Sequence, residues 1–168
     1  MCVLCSSCAS QLTEVAHSLS QDGPDKEHVN KELSRAGLKY DGGVKVRHFA
    51  RILLEDIGTE KIKEHFVKDL SDLKTAIHYG CHYLKPSEIY DGFDDVEDPQ
   101  SIETLVAITG ARVIDYPGKK RCCGGPVLPV EENVALAVAK EKLDHLADAG
   151  ADALCLVCPF CSVMYDGN

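Results

Sequence analysis

The sequence predicts an α/β fold: a helical N-terminal half followed by an open, mostly parallel sheet flanked by helices. Apolar residues recur at helical spacing through roughly the first 70 positions. From Lys74 onward the texture becomes strand, helix, strand, helix, strand, the order of a parallel sheet with crossover helices. Cysteines then fall just beyond the end of each of those strands, at the carboxyl edge where open α/β sheets place their ligands.

Taken in order, Leu12, Val15, Ala16 and Leu19 mark a first helix that Gly23-Pro24 breaks. Asp25 is placed to cap a second helix ending near Gly37. Arg47 to Ile57 and Lys61 to Leu70 read as two more, with Gly58 as stop and Thr59 as cap. Lys74 to Tyr79 is a short strand running into Gly80-Cys81, and Asp91 to Pro99 reads as a surface loop. Ser101 caps a helix through Ile108 that stops at Gly110, and Arg112 to Tyr116 is a strand that leads through Pro117-Gly118 to Cys122-Cys123. A long helix from Glu131 to Ala149 carries Val134, Leu136, Val138, Leu143 and Leu146, and Ala153 to Val157 is the last strand.

A chain of 168 residues is the size of one ordinary domain, and 45% apolar with 27% charged residues is a globular composition. The balance of 18 basic against 27 acidic residues, a formal charge of −9, repels phosphate backbones and anionic lipid. No apolar run approaches the roughly 20 residues of a membrane span, and the cysteine-bearing start lacks the basic stretch of a signal peptide. The expectation is a cytoplasmic protein with neither a nucleic-acid partner nor a membrane span.

Nine cysteines are the outlier, and in a reducing compartment such an excess points to metal ligation or redox chemistry rather than disulfides. Cys2, Cys5 and Cys8 repeat the spacing of Cys155, Cys158 and Cys161, so the chain begins and ends at equivalent points of two successive units. Between them stand a single Cys81 and the pair Cys122-Cys123. Several thiolates at one point are soft ligands and suit zinc or iron–sulfur rather than magnesium or calcium. Adjacent cysteines chelate one tetrahedral ion poorly but serve neighbouring metals of a cluster, which favours iron–sulfur and leaves zinc as the alternative occupant. The run expected of a bacterial cubane site fails after both Cys8 and Cys161. Cys155, inside its strand, reads as a small buried apolar residue, and Cys2 follows by repeat symmetry.

The single cysteine, the Cys-Cys-Gly and the terminal Cys-Pro-x-Cys resemble the cysteine-rich CCG domain. His78-Tyr79-Gly80-Cys81-His82-Tyr83-Leu84-Lys85-Pro86-Ser87-Glu88 is similar to the second such domain in the B subunit of heterodisulfide reductase. The resemblance covers nearly the whole chain. It implies residues 1–10 as the remnant of an upstream CCG unit, 11–72 as a helical connector, and 73–168 as the CCG iron–sulfur domain. It further implies a noncubane [4Fe–4S] cluster held by Cys81, Cys122, Cys123, Cys158 and Cys161, with Cys5 and Cys8 two ligands of a second, incomplete site. The implied activity is reductive cleavage of a disulfide, in methanogens the coenzyme M–coenzyme B heterodisulfide. The implied partners are the flavin-containing and the ferredoxin-like subunits of heterodisulfide reductase. Two readings remain beside it. One is an electron-transfer subunit of a lactate, glycolate or glycerol-3-phosphate dehydrogenase or of a thiol-fumarate reductase, although those commonly carry Asp-Pro-Cys-His where this chain has Tyr79-Gly80-Cys81-His82. The other is a zinc-binding module without catalysis.

His82 follows a proposed ligand directly. It is placed to donate to cluster sulfur or to a product thiolate, or alternatively to satisfy backbone at a strand end. His17, His28, His48, His65 and His145 sit on expected helices and read as solvated, and Gly124-Gly125-Pro126 lets backbone amides approach a cluster closely.

Overall fold

The computed structural model describes residues 1–166. Its centre is a three-stranded parallel sheet of β3 (Lys74–His78), β4 (Arg112–Ile114) and β5 (Ala153–Leu156), with β3 in the middle. Lys74, Thr75 and Ala76 pair with Arg112, Val113 and Ile114 on one side, and Thr75 to His78 pair with Ala153 to Leu156 on the other. Helix α5 (Ser101–Ala107) connects β3 to β4, and α6 (Glu132–Asp148) connects β4 to β5. The expected α/β architecture is the one observed.

Alternation along β3 divides the core. Ile77 packs with Ile102, Tyr79, Tyr83, Leu84 and Ala50 on the α5 face, whereas Ala76 packs with Leu146 and Tyr116 under α6. Central position buries β3 on both faces, so four of its five residues are buried.

The N-terminal half departs from the expectation in four places. Helix α1 spans Ser6–Ser18 and so begins at the first cysteine hook, not near Leu12. In α2 (Pro24–Ser34) Gly23 occupies the capping position and Pro24 the first turn, where its missing N–H costs nothing, and Asp25 lies inside the helix. Arg47–His48 is not helix but strand β2, paired in parallel with β1 (Cys2–Val3); α3 is only Phe49–Ile52 and continues as a wider π turn over Leu53–Ile57. Helix α4 stops at Lys63 after starting at Thr59, with Gly58 as its cap. The apolar residues meant to extend it, Phe66 and Val67, are exposed, and a helix with no face to bury does not persist in water.

Later elements need smaller corrections. Gln100, not Ser101, occupies the capping position of α5. Asp94 accepts from the amides of Gln100 and Ser101, which ties the Asp91–Pro99 loop to the helix and leaves Pro99 fully buried. The large apolar residues of α6 are mostly outward: Val134, Leu136 and Leu143 are exposed. Its inward stripe is Ala135, Ala139, Lys142 and Leu146, and the two alanines are small enough to let the helix lie close against the cysteine loops. A final helix, α7 (Pro159–Asp166), was not expected; it begins between Cys158 and Cys161.

Candidate iron–sulfur centre

All three cysteine groups of the C-terminal half lie past the carboxyl end of their strands, on the same edge of the sheet. Cys81 follows β3, Cys122 and Cys123 follow β4, and Cys158 and Cys161 follow β5. Cys123, Cys158 and Cys161 pack in one buried cluster with Cys122 and Cys5 against it, and Cys81 lies beside Cys122. Cys123, Cys158 and Cys161 are buried, Cys81 and Cys122 partly so, and all nine cysteines are free thiols.

The loops deliver polar hydrogens to these sulfurs. The amides of Gly124 and Gly125 donate to Cys122 Sγ and Cys123 Sγ, each at 3.4 Å. Gly124 has φ 90°, and a Cβ there would stand 2.6 Å from the Ala135 carbonyl oxygen, so only glycine permits this turn under α6. Ser7 Oγ lies 3.7 Å from Cys158 Sγ. Cys123 and Cys158 are both held down toward the thiolate, chiefly by hydrogen bonding with Cys161, whose own thiol is pushed up in return. Burial pushes Cys81 up to about 11, with Cys122 adding to it.

Cys5 joins the same group. Its Sγ lies 3.6 Å from Cys158 Sγ, the residue 153 positions further on that the repeat makes its counterpart. Cys5 also contacts Cys8, and burial first, then Cys158 and Cys8, push its thiol up to about 11. The backbone repeats the relation: the Ser6 amide donates to the Val157 carbonyl at 3.0 Å, and the His48 ring faces the carbonyls of both Leu4 and Val157. His48 is therefore not solvated as expected. Its Nε2–H donates to Val157 O at 3.1 Å while Nδ1 accepts the Ala50 amide at the start of α3. Cys8 and Cys2 are exposed, which corrects the burial expected for Cys2, whereas Cys155 is half-buried against the apolar core.

Among the described residues the His82 ring makes no hydrogen bond to a thiol. Its Nδ1 lies 3.4 Å from Ser10 Oγ, and its amide donates to Cys81. The imidazole borders an open recess of about 440 Å³ that Cys81, Glu14, Lys85 and Glu88 also line. Of the other histidines, His65 and His145 bond backbone carbonyls at the surface, and His17 and His28 are exposed.

Sequence reasoning missed Lys142 and the role of His78. Lys142, 3% exposed, donates from Nζ to His78 Nδ1 at 2.8 Å and to the Arg121 carbonyl at 2.7 Å. Burial lowers Lys142 to about 8, against the pull of Cys123, Cys161 and Cys122, and burial with the Lys142 charge pushes His78 down to about 3. The signal in the sequence was the spacing Ala135, Ala139, Lys142, Leu146, a helical stripe with a lysine in it.

The donor set and its surroundings fit a multi-metal sulfur centre. Donors are thiols only, two sulfurs receive amide N–H bonds, and a buried cation stands behind them. Among the described residues, no three His, Cys, Asp or Glu side chains are set to hold a single ion.

Fold and site together define an open α/β cysteine-rich domain with its thiols gathered at the carboxyl edge of the sheet. The cysteine-rich (CCG) family profile matches residues 75–166, and the chain belongs to that family. It is 36% identical over 165 residues to the B subunit of the ferredoxin:CoB-CoM heterodisulfide reductase of Methanosarcina mazei, covering 97% of this chain and 54% of that one. It is 32% identical over 165 residues to a protein of Archaeoglobus profundus described as like the B subunit of heterodisulfide reductase, covering 96% and 55%. To the 8-methylmenaquinol:fumarate reductase membrane anchor subunit of Wolinella succinogenes it is 30% identical over 162 residues, covering 96% and 55%. The chain thus spans about half the length of these relatives. Among the described residues no helix is long and apolar enough to cross a membrane.

Proposed function

We propose that this chain is an iron–sulfur subunit of a heterodisulfide reductase-like complex. It would hold a noncubane [4Fe–4S] cluster on Cys81, Cys122, Cys123, Cys158 and Cys161 and serve in the reductive cleavage of a disulfide, in a methanogen that of coenzyme M and coenzyme B. The observation that carries this reading is the packing of Cys122, Cys123, Cys158 and Cys161 in one cluster with Cys81 beside Cys122, and with backbone amides already aimed at two of the sulfurs. The similarity to the B subunits of heterodisulfide reductases supports it. In this reading the chain works in the cytoplasm with a flavin-containing subunit and a ferredoxin-like subunit of the same complex.

When bound, the cluster would supply single electrons for a two-electron cleavage. The chain's own residues bind and orient. Gly124 and Gly125 fix the adjacent pair through their amides, and α6 closes over the sulfurs with Ala135 and Ala139 and keeps water out. The recess beside Cys81 is the approach for the disulfide, with His82 at its wall as the donor of a proton to a leaving thiolate and Lys85 as a positive group for an acidic substrate.

In the same reading, residues 1–10 close an upstream unit, 11–72 connect, and 73–168 form the domain, the last two residues of which lie outside those described. Cys5 and Cys8 are then two ligands of the upstream unit's own site. Contact between repeat counterparts Cys5 and Cys158 supports this, because two related units would meet there.

Iron and sulfide analysis with electron paramagnetic resonance on anaerobically purified protein is the test. The expected result is iron and sulfide in equal amounts, at most one cluster per chain, and a signal perturbed by an added thiol. Zinc without sulfide overturns the cluster and leaves a zinc-bound module. A second reading, electron transfer within another oxidoreductase, draws on the similarity to the fumarate reductase subunit. It predicts a cluster whose signal ignores thiols and disulfides.

A further inference from the structure

We propose that Lys142 and His78 form a buried pair that counter-charges and hydrogen-bonds the sulfur-bound group, and so sets its reduction potential. The inference rests on the iron–sulfur reading above and adds a tuning element to it.

Lys142 sits in the middle of the inward stripe of α6, and no described carboxylate lies within ion-pair distance of it. A buried ammonium without an anion is costly, because it gives up its hydration and gains no opposite charge. The groups that face Lys142 are the sulfurs of Cys123, Cys161 and Cys122, and Lys142 lines one small cavity with Cys122. The fold has therefore placed an uncompensated cation where only ionised sulfur can balance it.

His78 extends the argument. Because Lys142 donates to Nδ1, the neutral ring carries its proton on Nε2. Nε2 is fully buried and unpartnered among the described residues, although a buried donor left without an acceptor loses its hydration with nothing in return. It lies 3.1 Å from the place a Cβ on Gly80 would occupy, so the bare backbone at Gly80, the residue before Cys81, keeps this N–H open. Tyr165 packs edge-on against the ring at 5.3 Å. Its hydroxyl is likewise buried without a partner, in the field of Cys123, Cys161 and Cys122.

A cation and two open donors beside clustered sulfur are an acceptor-seeking environment. Reduction adds a negative charge to the group, and both the cation and the hydrogen bonds to sulfur stabilise that charge. Lys142 acts through space and through His78; it is a positioning and tuning residue.

The test compares wild type with Lys142→Met, which keeps length without charge, and Lys142→Arg, which keeps charge. Each is loaded anaerobically and read by iron content and by spectroelectrochemical midpoint. In Lys142→Met, with wild-type iron, the one-electron equilibrium should move about tenfold toward the oxidised form, equivalent to 59 mV, and Lys142→Arg should restore it. An unchanged midpoint in Lys142→Met overturns the proposal. Should Lys142→Met fail to take up iron, uptake by Lys142→Arg supports the charge role, and failure of both overturns it. A readout that needs no cluster keeps this apart from the cluster reading itself. Alkylation of the apo chain by iodoacetamide at neutral pH should slow severalfold in Lys142→Met, and an unchanged rate counts against the cation facing the thiolates.

Discussion

Cys155 and Cys158 are three residues apart and differ in everything that matters to chemistry. The first lies within β5 against the apolar core, and burial alone raises its thiol; the second lies past the strand among other sulfurs and is held toward the thiolate. Cys122→Ala or Cys158→Ala should therefore abolish the cluster's magnetic signature and most of the bound iron. Cys155→Ala should leave both intact at a cost of about 1 kcal/mol in a denaturant titration. His78 makes a pH prediction. Its folded pKa is depressed to about 3, so the unfolded chain binds the extra proton first as acid is added. The His78 contribution to stability should be complete above about pH 6.5 and fall as the pH drops toward 3. The slope from this one residue approaches about 1.4 kcal/mol per pH unit, and His78→Gln should remove it from the unfolding free energy of the apo chain.

Helix α6 works by smallness. Ala135 is fully buried and Ala139 nearly so, and both pack on Cys123, Cys158 and Cys161, with the Ala135 carbonyl against the Gly124 turn. Ala139→Leu should overpack this contact, costing about 1–3 kcal/mol and lowering iron uptake. A leucine at the exposed Val134 should do neither. Thermal unfolding and iron content on the two variants separate the cases. Gly124→Ala would strain a positive φ and crowd a carbonyl, and a loss of about 1–3 kcal/mol is expected. The strands and crossover helices of the C-terminal half were legible because β3, β4 and β5 are short runs that end near glycine or cysteine, and crossover helices follow from parallel order; α7, which no strand follows, was not. The β1–β2 pair was not, since two-residue strands have no period to read and exist only because Cys2–Val3 and Arg47–His48 meet in space.

Over the whole molecule, the cysteine centre ties together segments from both ends of the chain: the first hook on α1, the turn after β3, the pair after β4 and the hook on α7. A group bound there holds the folded state and has no counterpart in the unfolded chain, so loading should raise Tm and iron chelation should reverse it. Calorimetry on the apo and loaded chain checks this, and equal Tm values would remove the centre from the fold's stability. The α/β order, the strand ends that carry thiols and the repeat of one hook in the other can all be read along the chain, because these are local periodicities and spacings. Folding in three dimensions is what brings Cys5 to Cys158 and His48 to the segment after β5, and what turns Lys142 inward from α6 while Val134, Leu136 and Leu143 face out. Each of those depends on a contact between segments far apart in sequence. There the gain from burial or pairing outweighs what the local pattern prefers, and a periodicity confined to one segment holds no record of it.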